Sequence, residues 1–211
     1  MNERERCYIN RILEEKTMTN DEKNKLLDIF YRANEEFLKR DVKNILLDVS
    51  ERNLCALLSE KIAYILSNSK FKQYYSDPEY NRDGEEVKAI IIPGEETIVT
   101  VTCDLIIHSR GELDKDNLIA IEMKKSNANM RSKNKDRIRL KALTMELDSV
   151  YHWKGKLDKK VVAGYELGIF YELNRFTKTI IIEIYSNGRL ENVETNTFEY
   201  FQNYKDNKNT R

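Results

Sequence analysis

The sequence predicts an α/β protein in the order helices, three strands, a helix and two further strands. Three observations lead there. Apolar residues recur at helical spacing as far as Leu66; the pattern then switches to β-branched runs between residues 87 and 123; and helical spacing returns over residues 133–151 before two more β runs.

Residues 20–39 carry Leu26, Leu27, Phe30, Tyr31, Ala33 and Phe37 on one helical face, with Thr19, Asn20 or Asp21 available as a cap. The first forty residues therefore read as a helical extension, which divides the chain into residues 1–41 and a main domain over residues 42–211. A second helix starts at residue 42 or 50 and runs to 66, with Leu54, Leu57, Leu58, Ile62, Ile65 and Leu66 on one side. A loop with Tyr74, Tyr75 and Pro78 follows. Residues 87–92 and 97–108 form a hairpin around Pro93-Gly94, and residues 118–123 add a third strand after the polar turn ELDKDN, giving an antiparallel meander. Ile138, Leu140, Leu143, Leu147 and Val150 mark the next helix. Residues 161–173 and 179–185 are the last strands, Asn187-Gly188 is a turn, and residues 195–204 form a short final helix.

With 40% hydrophobic and 34% charged residues, 211 residues suffice for one core with an appendage but not for two enzyme domains. No apolar run approaches the ~20 residues of a membrane span, and MNERERCYINRILEEK is charged where a signal peptide is apolar. A cytoplasmic protein without membrane contact is expected. Cys7, Cys55 and Cys103 form no CxxC pair, so neither a disulfide framework nor a thiolate zinc site is indicated, and Cys55 falls in the core. Because 36 basic residues balance 36 acidic ones, any contact with nucleic acid must be local rather than a global positive field.

The chemistry concentrates in two β runs. Asp104 lies in TVTCDLIIH and Glu122 in NLIAIEMKK, and symmetric pairing about ELDKDN sets Asp104 opposite residue 121 or 122. Strand alternation places Glu122 and Lys124 on one face, with Ile121 and Met123 on the other. Asp104, Glu122 and the Met123 carbonyl suit Mg²⁺, a hard cation, while Lys124 is placed to orient an attacking water or stabilise developing phosphate charge. An acid-x-Lys triplet alone says little here, since Glu14, Asp21, Asp41, Glu86, Asp158 and Asp206 each begin one. Only the Glu122 triplet ends an apolar β run preceded, one hairpin back, by another acid. The competing reading is that both acids cap strand ends and face water.

The run CDLIIHSRGELDKDNLIAIEMKK resembles the core motif of the PD-(D/E)xK nucleases, the restriction-endonuclease-like superfamily, with Asp104, Glu122 and Lys124 in the motif positions. Wider similarity, through ERNLCALLSEKIAYIL, EYNRD, KDRIRLKAL and YELGIF, is to small bacterial members of that superfamily and spans roughly residues 48–172; Cys103 stands where the motif's name places Pro. The resemblance implies a restriction-endonuclease-like mixed central sheet flanked by helices, with the N-terminal helices as an addition. It also implies Mg²⁺ (or Mn²⁺) as cofactor, phosphodiester hydrolysis of DNA rather than RNA, and a setting in host defence. A double-strand cut needs two active sites, so a homodimer joined through the N-terminal helices is expected.

Members of the superfamily add an acid from the helix before the sheet, and Glu51 and Glu60 are available. Helical phase chooses Glu51, which shares the sector of Leu54, Leu58, Ile62 and Ile65, whereas Glu60 lies nearly opposite. Glu51 also reads as a first-turn acid favoured by the helix dipole. Lys124, Lys125, Arg131, Lys133, Lys135, Arg137, Arg139 and Lys141 are opposed only by Asp136, so the run reads either as a phosphate track or as a solvated helix face. Arg139 takes the basic place in the family's D-x-x-(K/R)-L stretch and is the preferred phosphate contact, with Lys125, Lys141 and Arg82 as further nucleic-acid-binding candidates. His108 shares a face with Asp104, to touch substrate or to serve as a satisfied structural histidine. The alternative function is a catalytically inactive nuclease fold that binds nucleic acid or protein, and a second is a helical interaction protein whose sheet is scaffold only.

Overall fold

Helix α1 (Asn20–Leu46) begins at a capping box: the Thr19 hydroxyl accepts the Glu22 N–H at 3.3 Å, and the Glu22 carboxylate accepts the Thr19 N–H at 3.2 Å. Leu26, Phe30, Ala33, Phe37, Val42 and Ile45 continue one buried stripe, so Val42 belongs to this helix and does not open the next. Asp48, in the left-handed region at φ 61°, turns the chain, and Ser50 caps helix α2 (Glu51–Ser67) by accepting the Asn53 N–H. The computed structural model describes residues 18–83, 86–87, 89–91, 98–100, 102–146 and 162–198. The expected Pro93-Gly94 turn, residues 147–151 of the expected third helix and Cys7 lie outside them.

Six strands form the central sheet: β1 (Tyr75–Pro78), β6 (Leu105–His108), β7 (Asn117–Lys125), β8 (Leu167–Asn174), β9 (Thr179–Ser186) and β10 (Arg189–Thr197), hydrogen-bonded in that order. Two ribbons stand apart from it: β2 (Arg82–Asp83) with β3 (Glu86–Val87), and β4 (Ala89–Ile91) with β5 (Ile98–Thr100). Within the sheet only β7 and β8 run parallel. A parallel pair needs a crossover, which helix α3 (Met130–Leu143) supplies, capped by Asn129. The sheet is therefore mixed and flanked by helices.

Alternation along β7 builds two cores. Ile119, Ile121 and Met123 join Leu26, Phe30, Leu54, Leu58 and Ile62 from the two N-terminal helices. Ala120 joins Leu140, Leu143, Phe170 and Tyr185 on the α3 side. Cys55 is buried as expected, its Sγ 3.8 Å from Met123 Sδ. The expected boundary at residue 41 thus falls inside α1, whose buried face is continuous with the sheet's own core.

Five local expectations need correction, one being that the strand expected over 161–173 begins only at Leu167, after Gly164 at φ 75° has turned the chain. The expected strand over 97–108 is two strands, with β5 ending at Thr100 and β6 beginning at Leu105, and the hairpin of β4 and β5 pairs outside the central sheet. The neighbour of β6 is instead β1, read from the sequence as loop; its Pro78 is tolerated because this is an edge strand, and Ser59 of α2 donates to the Ser76 carbonyl at 2.9 Å. Residues 195–197 continue β10 rather than starting a helix; RLENVETNT is polar on both faces, which hides the period of two, and residues 199–204 lie outside the described part. Ile138 is exposed, and Leu140 and Leu143 carry the buried face of α3. No helix among the described residues is long and apolar enough to cross a membrane.

Candidate active site

The end of β7 carries the acid and the lysine, and its neighbours bring the other groups. The β6–β7 register runs from His108 to Leu105 opposite Ile121, so Asp104, one residue beyond the strand, arrives beside Glu122 and Met123. Its Oδ2 accepts the Met123 N–H at 2.8 Å, and its carbonyl accepts the Glu79 N–H at 3.1 Å. Both ends of the residue are thereby fixed.

Glu122 points towards α3 and is only 1% exposed. Its Oε1 stands 3.2 Å from Arg139 Nε, in charge contact but outside hydrogen-bond geometry. Burial first, then the negative charges of Asp104 and Asp136, push its carboxyl well above the usual range, against the pull of Arg139 and Lys124. Lys124 Nζ donates to the Met123 carbonyl at 3.0 Å and lies 3.2 Å from Asp136 Oδ2, 3.5 Å from Glu51 Oε2 and 3.6 Å from Asp104 Oδ2. Burial alone depresses its basicity, but Asp104, Asp136 and Glu51 together outweigh that and raise it.

Glu51 joins from the first turn of α2. Its Oε1 accepts the Lys125 N–H at 2.9 Å, so helix and strand end are tied together, while Glu60 on the opposite face is 70% exposed and pairs with neighbouring Lys61. The basic candidates divide. Lys125 turns its ammonium to Asp48, at 2.8 Å from Oδ1 and 3.1 Å from the carbonyl. Arg139 is held by Glu122, by a close pair with Asp136 and by the Thr102 carbonyl at 3.1 Å. Lys133 pairs with Glu172 at 2.9 Å and Arg137 with Glu183 at 2.6 Å. Arg131, Lys135 and Lys141 are exposed on the outer face of α3. Arg82 sits in the β2 ribbon, and its side chain lies outside the described part. His108 is buried, 3.0 Å from Asp77 and tilted against Tyr80 with ring centroids 4.5 Å apart, the surroundings of a satisfied histidine.

Sequence reasoning passed over Asp136. It is 2% exposed, contacts both Lys124 and Arg139, and its Oδ2, like Glu122 Oε1, is buried without a hydrogen-bond partner. A signal existed: it is the single acid in the basic run and shares the inward sector of Leu140 and Leu143. Four carboxylates, Glu51, Asp104, Glu122 and Asp136, thus face two cations, Lys124 and Arg139. The acids outnumber the cations by two when all four are ionised, but Glu51 and Asp104 are 31% and 28% exposed, so only Glu122 and Asp136 are enclosed and costly to keep charged without a cation before them. Among the described residues no group of three His, Cys, Asp or Glu side chains stands ready to hold a metal, because the ammonium and guanidinium lie between the acids. The donor set nevertheless fits a hard divalent ion, since its two unpartnered buried atoms are both carboxylate oxygens. No protein-family model, curated protein or solved structure matches the chain.

Proposed function

We propose that the chain is a Mg²⁺-dependent nuclease of restriction-endonuclease-like fold that hydrolyses phosphodiester bonds, in DNA rather than RNA. One observation carries this reading: two enclosed carboxylates with unpartnered oxygens, Glu122 from β7 and Asp136 from α3, converge with Asp104, Glu51 and Lys124 at the end of β7. Asp104, Glu122 and the Met123 carbonyl would hold the ion, and Glu51 would support its water shell. When bound, Mg²⁺ or Mn²⁺ supplies an acidified water and neutralises phosphate charge. Lys124, protonated and tethered to the Met123 carbonyl, orients that water's approach and stabilises charge building on the phosphate. Arg139 holds the Glu122 carboxylate in place. With Lys125 and Arg139 engaged by acids, phosphate contact falls mainly to the exposed Arg131, Lys135 and Lys141. A cytoplasmic setting in host defence, and a homodimer for double-strand cuts, go with this reading.

A second reading, a catalytically inactive fold that binds nucleic acid or protein, is favoured by the same ion pairs: Lys124 and Arg139 already occupy the space between the acids. Incubation with plasmid, single-stranded DNA and RNA, each with Mg²⁺, Mn²⁺ or EDTA, separates the two. Metal-dependent cleavage that falls at least ~10²-fold in Asp104→Asn and Glu122→Gln supports the nuclease. Binding without cleavage under every condition, or cleavage that both variants retain, excludes it.

A further inference from the structure

The Lys124 ammonium has the surroundings of a bound ion. Four oxygens from four residues, on β7, α3, α2 and the position just before β6, namely the Met123 carbonyl, Asp136 Oδ2, Glu51 Oε2 and Asp104 Oδ2, lie 3.0, 3.2, 3.5 and 3.6 Å from Nζ. The ammonium donates to the Met123 carbonyl and, at longer range, to Glu51 Oε2, and its contacts to the three carboxylates are all longer than the roughly 2.7–2.9 Å of a strong charge-assisted hydrogen bond, so no single carboxylate holds it. Asp136 is the nearest of the three carboxylates and the most enclosed; its side chain is 3% exposed, and its Oδ2 has no hydrogen-bond partner although it faces the ammonium. A buried carboxylate in that position is costly unless a cation stands before it.

We infer that this is a second cation seat, distinct from the one formed by Asp104, Glu122 and the Met123 carbonyl although it shares two of their atoms' owners, and that Lys124 fills it permanently. The inference rests on the nuclease reading. Asp136, brought by the crossover helix α3, defines the seat. The protein then needs one divalent ion, because its own lysine supplies the second positive charge. Removing the ammonium while keeping the alkyl stem leaves four oxygens, three of them from carboxylates, of the kind that hard divalent ions take.

The experiment is calorimetric titration of full-length protein with MnCl₂. Wild type should bind one ion, Lys124→Met two, and Lys124→Met combined with Asp136→Asn one again. Equal stoichiometry in wild type and Lys124→Met, with one ion in each, overturns the seat and leaves the nuclease site standing. No ion in wild type and one in Lys124→Met upholds the seat and removes the nuclease site. No ion in either removes both, and an extra ion that survives Asp136→Asn overturns the part assigned to Asp136. Should Lys124→Met fail to fold in metal-free buffer, thermal unfolding against Mn²⁺ gives the same answer: recovery requiring two equivalents upholds the seat, whereas recovery with one, or none at saturation, overturns it.

Discussion

Glu51 and Glu60 lie on one helix and differ in phase, and the difference decides what each can do. Glu51 Oε1 takes the Lys125 N–H and its Oε2 faces Lys124, while Glu60 meets solvent. Glu51→Gln should therefore lower turnover and raise the Mg²⁺ requirement, and Glu60→Gln should shift stability by no more than ~0.5 kcal/mol. Parallel Mg²⁺ titrations of the two variants check this; loss confined to Glu60→Gln would refute it. A different kind of charge sits at Glu183. Burial opposes its ionisation, but hydrogen bonds from Arg137 and Tyr185 prevail and hold its carboxyl below the usual range. Its contribution is thus present above the unfolded-chain value of about 4.3 and is lost as pH falls through the lower folded value. Urea unfolding across pH should find Glu183→Gln less stable than wild type near neutrality, with the gap closing on acidification. A gap independent of pH would show that the carboxylate's charge is not what stabilises.

At the scale of elements, the seating of α3 on the sheet governs the site, because Asp136 and Arg139 both ride on that helix. Gly168 in β8 sets the approach: a Cβ there would stand 3.1 Å from Thr144 Cγ2 and 3.3 Å from both Leu140 Cβ and Tyr185 Cβ. Those neighbours are well-packed atoms with little room to retreat. Gly168→Ala should push α3 outward, cost roughly 1–3 kcal/mol and weaken metal binding at the same time. Chemical denaturation together with Mn²⁺ calorimetry reads both effects, and an unchanged Mn²⁺ affinity in the destabilised variant would uncouple helix seating from the site. The same helix shows why its role was hard to foresee. Its inward face carries Lys133, Asp136, Arg137 and Arg139 beside Leu140 and Leu143, and the acids that neutralise these bases, Glu172, Glu183 and Glu122, come from β8, β9 and β7.

Across the whole molecule, α1 and the sheet share one core, with Leu26, Phe30, Ala33 and Phe37 fully buried and the Tyr171 hydroxyl donating to Asn34 at 2.6 Å. Each large apolar side chain in that stripe contributes about 1.5–3 kcal/mol, comparable in sum with a domain's entire stability. A fragment of residues 42–211 should therefore not fold, and its circular dichroism and amide dispersion would show so; a cooperative, native-like fragment would restore the N-terminal helices to the status of an appendage. The sequence by itself determined the mixed α/β class, the phase of α2, the placing of Glu122 and Lys124 on one face, and the approach of Asp104, because periods of 3.6 and 2 and a short hairpin are local properties. Tertiary structure alone decided that β1 rather than β4 or β5 flanks β6, that α1 is core, that Asp136 completes the site, and that Lys125 and Arg139 are spent on acids. Those outcomes depend on which distant segments meet, and pairing energy and the cost of a buried charge are settled only when they do.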